Sequence, residues 1–474
     1  MGDPRTSWSR SDEAPGLNGR FQFAPSDYGG SHHTRPTFKA DLYPTKQTGG
    51  IYGHVDAPRI FPSQGAPVCP TPMSYEIQGH PFYGASPSGQ TFRAKLGFSR
   101  RHDYAMHPAH IYNSTTLLEE FKSGAKSDKW DLRTIQGHLA IFARDQTGSR
   151  FIQQKLEKAD DAARQDAFDE VYPDAMDLMT DVFGNYVIQK FFDHGSIEQQ
   201  RRLVNLMKDN MVELALQVYG CRVIQKALEV TQVDEQLLLI RELRGHVLRC
   251  VVDQNGNHVL QKCIEAASLK KNVPGFTRQV TGEDIQFIID DFVGQAAVLS
   301  THAYGCRVIQ RVLEHCSANQ IRPIVNEIMY ECRELVKDQF GNYVVQHVIV
   351  HGEVDQRNVV MEAILPDVAK WSQHKYASNV VEACLDNASK KEISQIVNLI
   401  LDCDESGSSC ALLPMMKHMY GNYVVQKLLD RADRQDRQRI VRIIQHNAEY
   451  LRRFTYGKHV LSRLEREMHT GHMY

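Results

Sequence analysis

The stretch GNYVVQ at residues 341–346 decides the fold, because versions of it recur along the chain. They are GSRFIQ (148–153), GNYVIQ (184–189), GCRVIQ (220–225), GNHVLQ (256–261), GCRVIQ (305–310), ASNVVE (377–382) and GNYVVQ (421–426). A degenerate ninth, GKHVLSR, follows at 457–463. The residues after each leading Gly or Ala, from Ser149 to Lys458, are spaced by 36, 36, 36, 49, 36, 36, 44 and 36. Two steps therefore carry insertions of 13 and 8 residues. A fixed period of this length is the mark of a repeat architecture, in which each unit buries its apolar face only against its neighbours. Each unit lacks strand-like alternation and holds several short apolar runs of helical period, enough for two or three short helices. An all-α solenoid is expected, with incomplete units at its ends acting as caps.

Working outward, 13 of the 18 prolines and 13 glycines fall within residues 1–115, which have no sustained apolar period. That region is expected to be disordered. Helical spacing starts near Leu117 and continues to about residue 470, so the solenoid reads as one domain over 117–470. The 474 residues carry 55 Lys+Arg against 57 Asp+Glu, a formal net charge of -2. This excludes a histone-like basic protein, and any nucleic-acid contact must come from groups gathered on one face. The ten cysteines show no CxxC and no zinc-type Cys/His spacing, so a reduced, intracellular chain is expected, located in the cytoplasm. No run approaches the roughly 18 apolar residues of a membrane span.

We number each motif from the residue after its Gly or Ala. On a helix, positions 1 and 5 share a face, position 2 flanks it, and positions 3 and 4 point elsewhere. Positions 3 and 4 are almost all Val, Ile or Leu and read as core. The other positions read as a polar ribbon running from unit to unit, suited to a linear ligand. Position 2 holds Arg150, Tyr186, Arg222, His258, Arg307, Tyr343, Asn379 and Tyr423, mostly planar groups that stack on bases. Position 1 holds Ser149, Asn185, Cys221, Asn257, Cys306, Asn342, Ser378 and Asn422. Position 5 holds Gln153, Gln189, Gln225, Gln261, Gln310, Gln346, Glu382 and Gln426. Short polar or thiol groups paired with Gln or Glu suit the Watson–Crick edges of unstacked bases, and single-stranded RNA satisfies both sets. Lys190, Lys226, Lys262, Arg311 and Lys427 follow the motifs and either attract phosphates or are simply solvated.

These motifs resemble those of the Pumilio, or PUF, family over roughly residues 117–470. The resemblance implies a curved solenoid of eight three-helix repeats with terminal caps. Its concave face would bind single-stranded RNA antiparallel, one base per repeat, the last repeat meeting the 5′ base. It further implies that Asn with Gln reads uracil, Cys or Ser with Gln reads adenine, and Ser with Glu reads guanine. Carried over repeat by repeat from Asn422/Gln426 back to Ser149/Gln153, the expected site is 5′-UGUAUAUA-3′. The implied role is binding to messenger RNA 3′ untranslated regions, repressing translation and promoting decay. Implied partners are repressors and deadenylase-complex proteins, met on the convex surface and a loop at 402–410. A monomer without cofactor, metal or membrane contact is expected.

The first insertion, within 266–284, departs from the family pattern. It is expected to be a loop; if it altered packing, the central base assignments would slip. No nucleophile, base and orienting group converge in sequence, so an enzyme is not expected. Gly84–Thr91 has the glycine spacing of a phosphate loop, but Gln90 stands where the lysine is required. His102 and His107 lack a second ligand pair. A protein-binding helical scaffold and a ribosome-assembly relative without the base code are the alternatives; both fit the regular Gln-terminated ribbon less well.

Overall fold

In the computed structural model, residues 108–124, 129–268, 279–402 and 410–469 are described. All belong to the second of the chain's two units, which spans residues 100–474. A helix covers Pro108–Gly124, starting upstream of Leu117. Of the region 1–115 expected to be disordered, residues 108–115 are helical, while 1–107, with the glycine-rich stretch at 84–91, His102 and His107, lie outside the described residues.

Among the described residues there is no strand. Each unit is a short helix, the motif helix and a third helix, as in Ala175–Met179, Gly184–His194 and Ile197–Met207. The motif helices are Gln146–Lys158, Gly184–His194, Gly220–Val230, Gly256–Ser268, Gly305–His315, Gly341–His351, Ala377–Asn387 and Gly421–Arg431. A ninth, Thr455–His469, completes the row. Each packs directly on the next, so the row is continuous from the first repeat to the last helix. The core follows positions 3 and 4: Val187/Ile188, Val223/Ile224, Val308/Ile309, Val344/Val345 and Val424/Val425 are all fully buried. This is a helical solenoid of eight repeats, with a core that grows by adding units.

The leading glycine is a packing requirement. A Cβ on Gly220 would sit 2.6 Å from the Leu214 carbonyl oxygen, inside contact distance, because the motif helix begins against the short helix before it. A half-buried carboxylate fork closes several repeats. Glu170 accepts from Gly137 N at 2.8 Å and Leu139 N at 2.7 Å, and Glu242 from Asp209 N at 3.0 Å and Met211 N at 3.4 Å. Glu327 does the same for Gly294 and Ala296. The linking residue takes a left-handed φ each time, 81° at Gly137, 64° at Asp209 and 78° at Gly294. That turn aims two N–H groups, two residues apart, at one carboxylate.

The first insertion falls between the second helix of the fourth repeat, Gly256–Ser268, and its third helix, Gln286–Phe292. Helices 256–268 and 305–315 still pack directly, and His315 Nδ1 lies 3.1 Å from Ser268 Oγ. The insertion thus leaves the row of motif helices unbroken. Most of the second insertion, 403–409, lies outside the described residues. No described helix is long and apolar enough to cross a membrane.

Candidate nucleic-acid interface

The start of seven of the eight motif helices is held by the residue three before its Gly or Ala; the third repeat has Gln217 there and no side-chain cap. Asp181 Oδ1 accepts from Phe183 N at 2.9 Å and Gly184 N at 2.8 Å, and Asp145, Asp253 and Asp338 make the same pair. In three repeats a histidine takes this place. His302 Nδ1 accepts from Tyr304 N and Gly305 N, both at 3.2 Å, and His374 Nδ1 from Tyr376 N and Ala377 N, both at 3.2 Å. His418 Nδ1 accepts from Tyr420 N at 3.2 Å and more weakly from Gly421 N at 3.5 Å. An accepting imidazole nitrogen must be unprotonated. Burial pushes the His302 and His374 imidazoles below their ordinary value, for His374 with help from Lys337. These caps orient the first helical turn, which carries positions 1 and 2.

Position 1 differs from the expected exposed ribbon. Ser149, Asn185, Cys221, Asn257, Cys306, Asn342, Ser378 and Asn422 are all buried. The close glycine packing draws the start of the helix inward, so position 1 forms a floor. The four asparagines are anchored there. Asn185 Nδ2 donates to the carbonyls of Asp181 at 2.9 Å and Val182 at 3.1 Å, and Asn257, Asn342 and Asn422 repeat the pattern. Their Oδ1 atoms accept from the position-5 amides: Gln189 at 2.9 Å, Gln261 at 2.9 Å, Gln346 at 3.0 Å and Gln426 at 3.1 Å.

At three of the four Ser or Cys positions the side chain turns to a carbonyl one turn back. The contacts are Ser149 Oγ to Gln146 O at 3.2 Å, Cys221 Sγ to Val218 O at 3.4 Å and Cys306 Sγ to Ala303 O at 3.5 Å. Gln225 then donates to the Cys221 carbonyl at 3.1 Å instead of to a side chain. Burial raises both thiols, Cys221 to about 11, so they act as neutral small groups and not as nucleophiles. None of the described cysteines is in a disulfide.

Position 5 is half-buried in seven repeats, at Gln153, Gln189, Gln225, Gln261, Gln346, Glu382 and Gln426, while Gln310 is only 1% exposed. Burial pushes the Glu382 carboxyl up to about 7, against the opposing pull of Lys427. A partner offering two N–H donors would relieve that desolvation. Position 2 is exposed throughout, at Arg150, Tyr186, Arg222, His258, Arg307, Tyr343, Asn379 and Tyr423. Tyr186, Tyr343 and Tyr423 are 36%, 42% and 38% exposed, high for aromatic rings and fit for stacking. Position-2 groups of neighbouring repeats also reach each other: the Arg307 guanidinium lies 5.7 Å from the Tyr343 ring centroid. Burial, then the Arg222 charge, holds His258 below its ordinary pKa, which favours an uncharged stacking ring.

The cations that follow the motifs are bound to protein carboxylates. Lys190 pairs with Glu157, Lys226 with Asp193 at 3.1 Å, Lys262 with Glu229 at 3.9 Å, Lys427 with Asp386 at 2.9 Å, and Arg463 with Asp430. Each joins position 6 of one repeat to position 9 of the repeat before. Arg311 pairs with Glu314 on its own helix. This edge is an inter-repeat ladder of ion pairs, which the sequence reading had treated as phosphate-attracting or simply solvated cations. The signal was a Lys at position 6 with an acid at position 9, visible once both are indexed to the repeat. The capping Asp or His three residues before the leading Gly or Ala in seven of the eight repeats was equally open to reading.

Known proteins carry the same arrangement. The Pumilio-family RNA-binding repeat matches at residues 138–172, 175–207, 210–244, 246–270, 295–329, 331–365, 367–401 and 412–445. The chain belongs to the Pumilio family. The fourth match is the shortest, as expected where the Pumilio repeat is interrupted by the insertion. Pumilio homolog 1 of Xenopus laevis is 46% identical over 368 residues, 78% of this chain. The chain spans only 30% of that relative's length. Among solved structures, PUF-8 in complex with PBE-RNA aligns with TM-score 0.67 and 39% identity, covering 74% of this chain and 99% of that one. The Puf3 RNA-binding domain bound to a Cox17 RNA 3′ UTR recognition sequence aligns with TM-score 0.66 and 38% identity, covering 74% and 99%. The Pumilio repeat is an RNA-binding unit and not an enzyme.

Proposed function

We propose that this chain binds single-stranded RNA sequence-specifically, one base per repeat and antiparallel, with 5′-UGUAUAUA-3′ as its preferred site. The observation that carries this reading is the register of three positions on eight successive, directly packed helices: a buried anchor, a half-buried amide or carboxylate, and an exposed, mostly planar group. Each asparagine fixes one N–H of its glutamine, leaving the Gln carbonyl and a second N–H free. That is one acceptor and one donor, the complement of the uracil N3–H and its adjacent carbonyl. Behind Cys221 the Gln225 amide is tied to a backbone carbonyl instead, which suits the donor–acceptor order of adenine. Glu382 accepts from guanine N1–H and N2–H, two donors that no other base presents together.

The Puf3 complex with a Cox17 RNA 3′ UTR recognition sequence supports a target in messenger RNA 3′ untranslated regions. There the chain acts as a cytoplasmic monomer that represses translation and promotes decay by recruiting repressors and deadenylase-complex proteins. Selection of a random RNA pool by the full chain tests the reading. Enrichment of UGUAUAUA is expected. Enrichment of UGU followed by a displaced UA would overturn the register across the fourth and fifth repeats, and no enrichment would overturn RNA reading in favour of a protein scaffold.

A further inference from the structure

Between the fifth and sixth repeats the ladder's position-6 cation is replaced by histidine. Position 6 of the sixth repeat is His347, where the second, third, fourth and eighth repeats have Lys. One turn on, position 10 is also histidine, His351. No other repeat has histidine at both positions. The two share a face of helix Gly341–His351, with ring centroids 5.5 Å apart and planes inclined by 30°. Facing them from helix Gly305–His315 is Glu314, whose Oε1 lies 3.3 Å from His347 Nδ1. Donor atoms of Glu314, His347 and His351 all lie within 4.8 Å of one another.

We propose that Glu314, His347 and His351 form a transition-metal site, best suited to Zn²⁺, that clamps the fifth repeat to the sixth. Two imidazoles and one carboxylate form a ligand set that selects Zn²⁺ and related first-row ions over Mg²⁺ or Ca²⁺. Zinc takes such donors at ~2.0–2.2 Å, which sets them about 3.4 Å apart in a tetrahedron. Binding would draw the three donors, now within 4.8 Å of one another, closer together. The second oxygen of Glu314 is already held by Arg311, and His315 Nε2 lies 3.7 Å from it. A hydrogen-bonded carboxylate is how such ligands are oriented, and Oε1 is left facing the histidines. The positive charge of Arg311 opposes the ion, so the site is weaker than a cysteine site. The fourth coordination position is left to water.

The clamp joins the far ends of the two helices that carry Cys306/Gln310 and Asn342/Gln346. It therefore stiffens one step of the row without touching the reading positions. The test uses the metal-stripped full chain, titrated with Zn²⁺ calorimetrically and with Co²⁺ by visible absorption. His351→Ala, at an exposed position, is the primary variant because it leaves the core intact; Glu314→Gln is the second. A single ion is expected to bind the parent chain and raise its Tm. Each variant should weaken binding by about tenfold or more, and His351→Ala should leave the metal-free Tm unchanged. Equal binding by parent and variants, a cobalt–thiolate charge-transfer band, or no saturable binding would each overturn the site.

Discussion

Gln346 donates from Nε2 to Asn342 Oδ1 at 3.0 Å, one turn back on the same helix, while Asn342 is itself tied to the carbonyls of Asp338 and Gln339. The glutamine amide is thus oriented by a buried residue that is fixed to the backbone. Replacing Asn342 by Cys reproduces the pairing found at Cys306 and Gln310. The expected outcome is a switch of the third base from U to A, worth roughly 1–3 kcal/mol at that position, read by fluorescence anisotropy on single-base RNA variants. Retained preference for U would place the specificity elsewhere.

Glu382 makes the guanine contact pH-dependent. Burial raises its carboxyl to about 7 in the free protein, and guanine binding requires the carboxylate. Binding therefore releases a proton below that pH, and affinity for the UGU-containing site should climb by up to about tenfold per pH unit toward 7 and level off above it. Folding carries the opposite sign. A raised carboxyl pKa contributes stability below the unfolded value, lost as pH rises through about 7. Glu382→Gln should remove the pH slope of binding, weaken the complex by roughly 1–3 kcal/mol and relax the second base.

Tyr343→Ala should cost about 1–3 kcal/mol of RNA affinity with the base preferences unchanged, because a ring stacks on any base. The Arg307 guanidinium near that ring would lose its partner too, so Arg307→Ala and Tyr343→Ala should combine less than additively. A double-mutant cycle on RNA binding measures the difference.

The histidine caps predict a stability loss in mild acid. Burial depresses His302 and His374, so the unfolded chain takes up protons at a higher pH than the folded one. Their contribution is complete above the unfolded value near 6.5 and is lost as pH falls through the lower folded value. His302→Asp with His374→Asp installs the cap used by the first, second, fourth and sixth repeats. The double variant should keep its urea midpoint at pH 5.5 where the parent falls, by about 1 kcal/mol per cap.

The repeat period, the helical class and the apolar positions 3 and 4 were legible because each depends on spacing within one unit. Val344 and Val345 are buried as that spacing requires. The burial of Asn342 was not legible, since it depends on how tightly Gly341 packs against Leu335, with an added Cβ 2.9 Å from that carbonyl oxygen. The fate of Lys427 was hidden for another reason: its partner Asp386 is 41 residues away and meets it only when two repeats stack. The candidate reading positions follow from pattern, whereas their geometry comes from packing.

The insertion after Ser268 leaves by the connection between the second and third helices of its repeat, while helices 256–268 and 305–315 keep their direct contact. Length can therefore be added to such a connection without altering the direct packing of consecutive motif helices. Such a chain can acquire new surface segments through insertion while its target sequence stays the same, so changes of partner and changes of message need not come together.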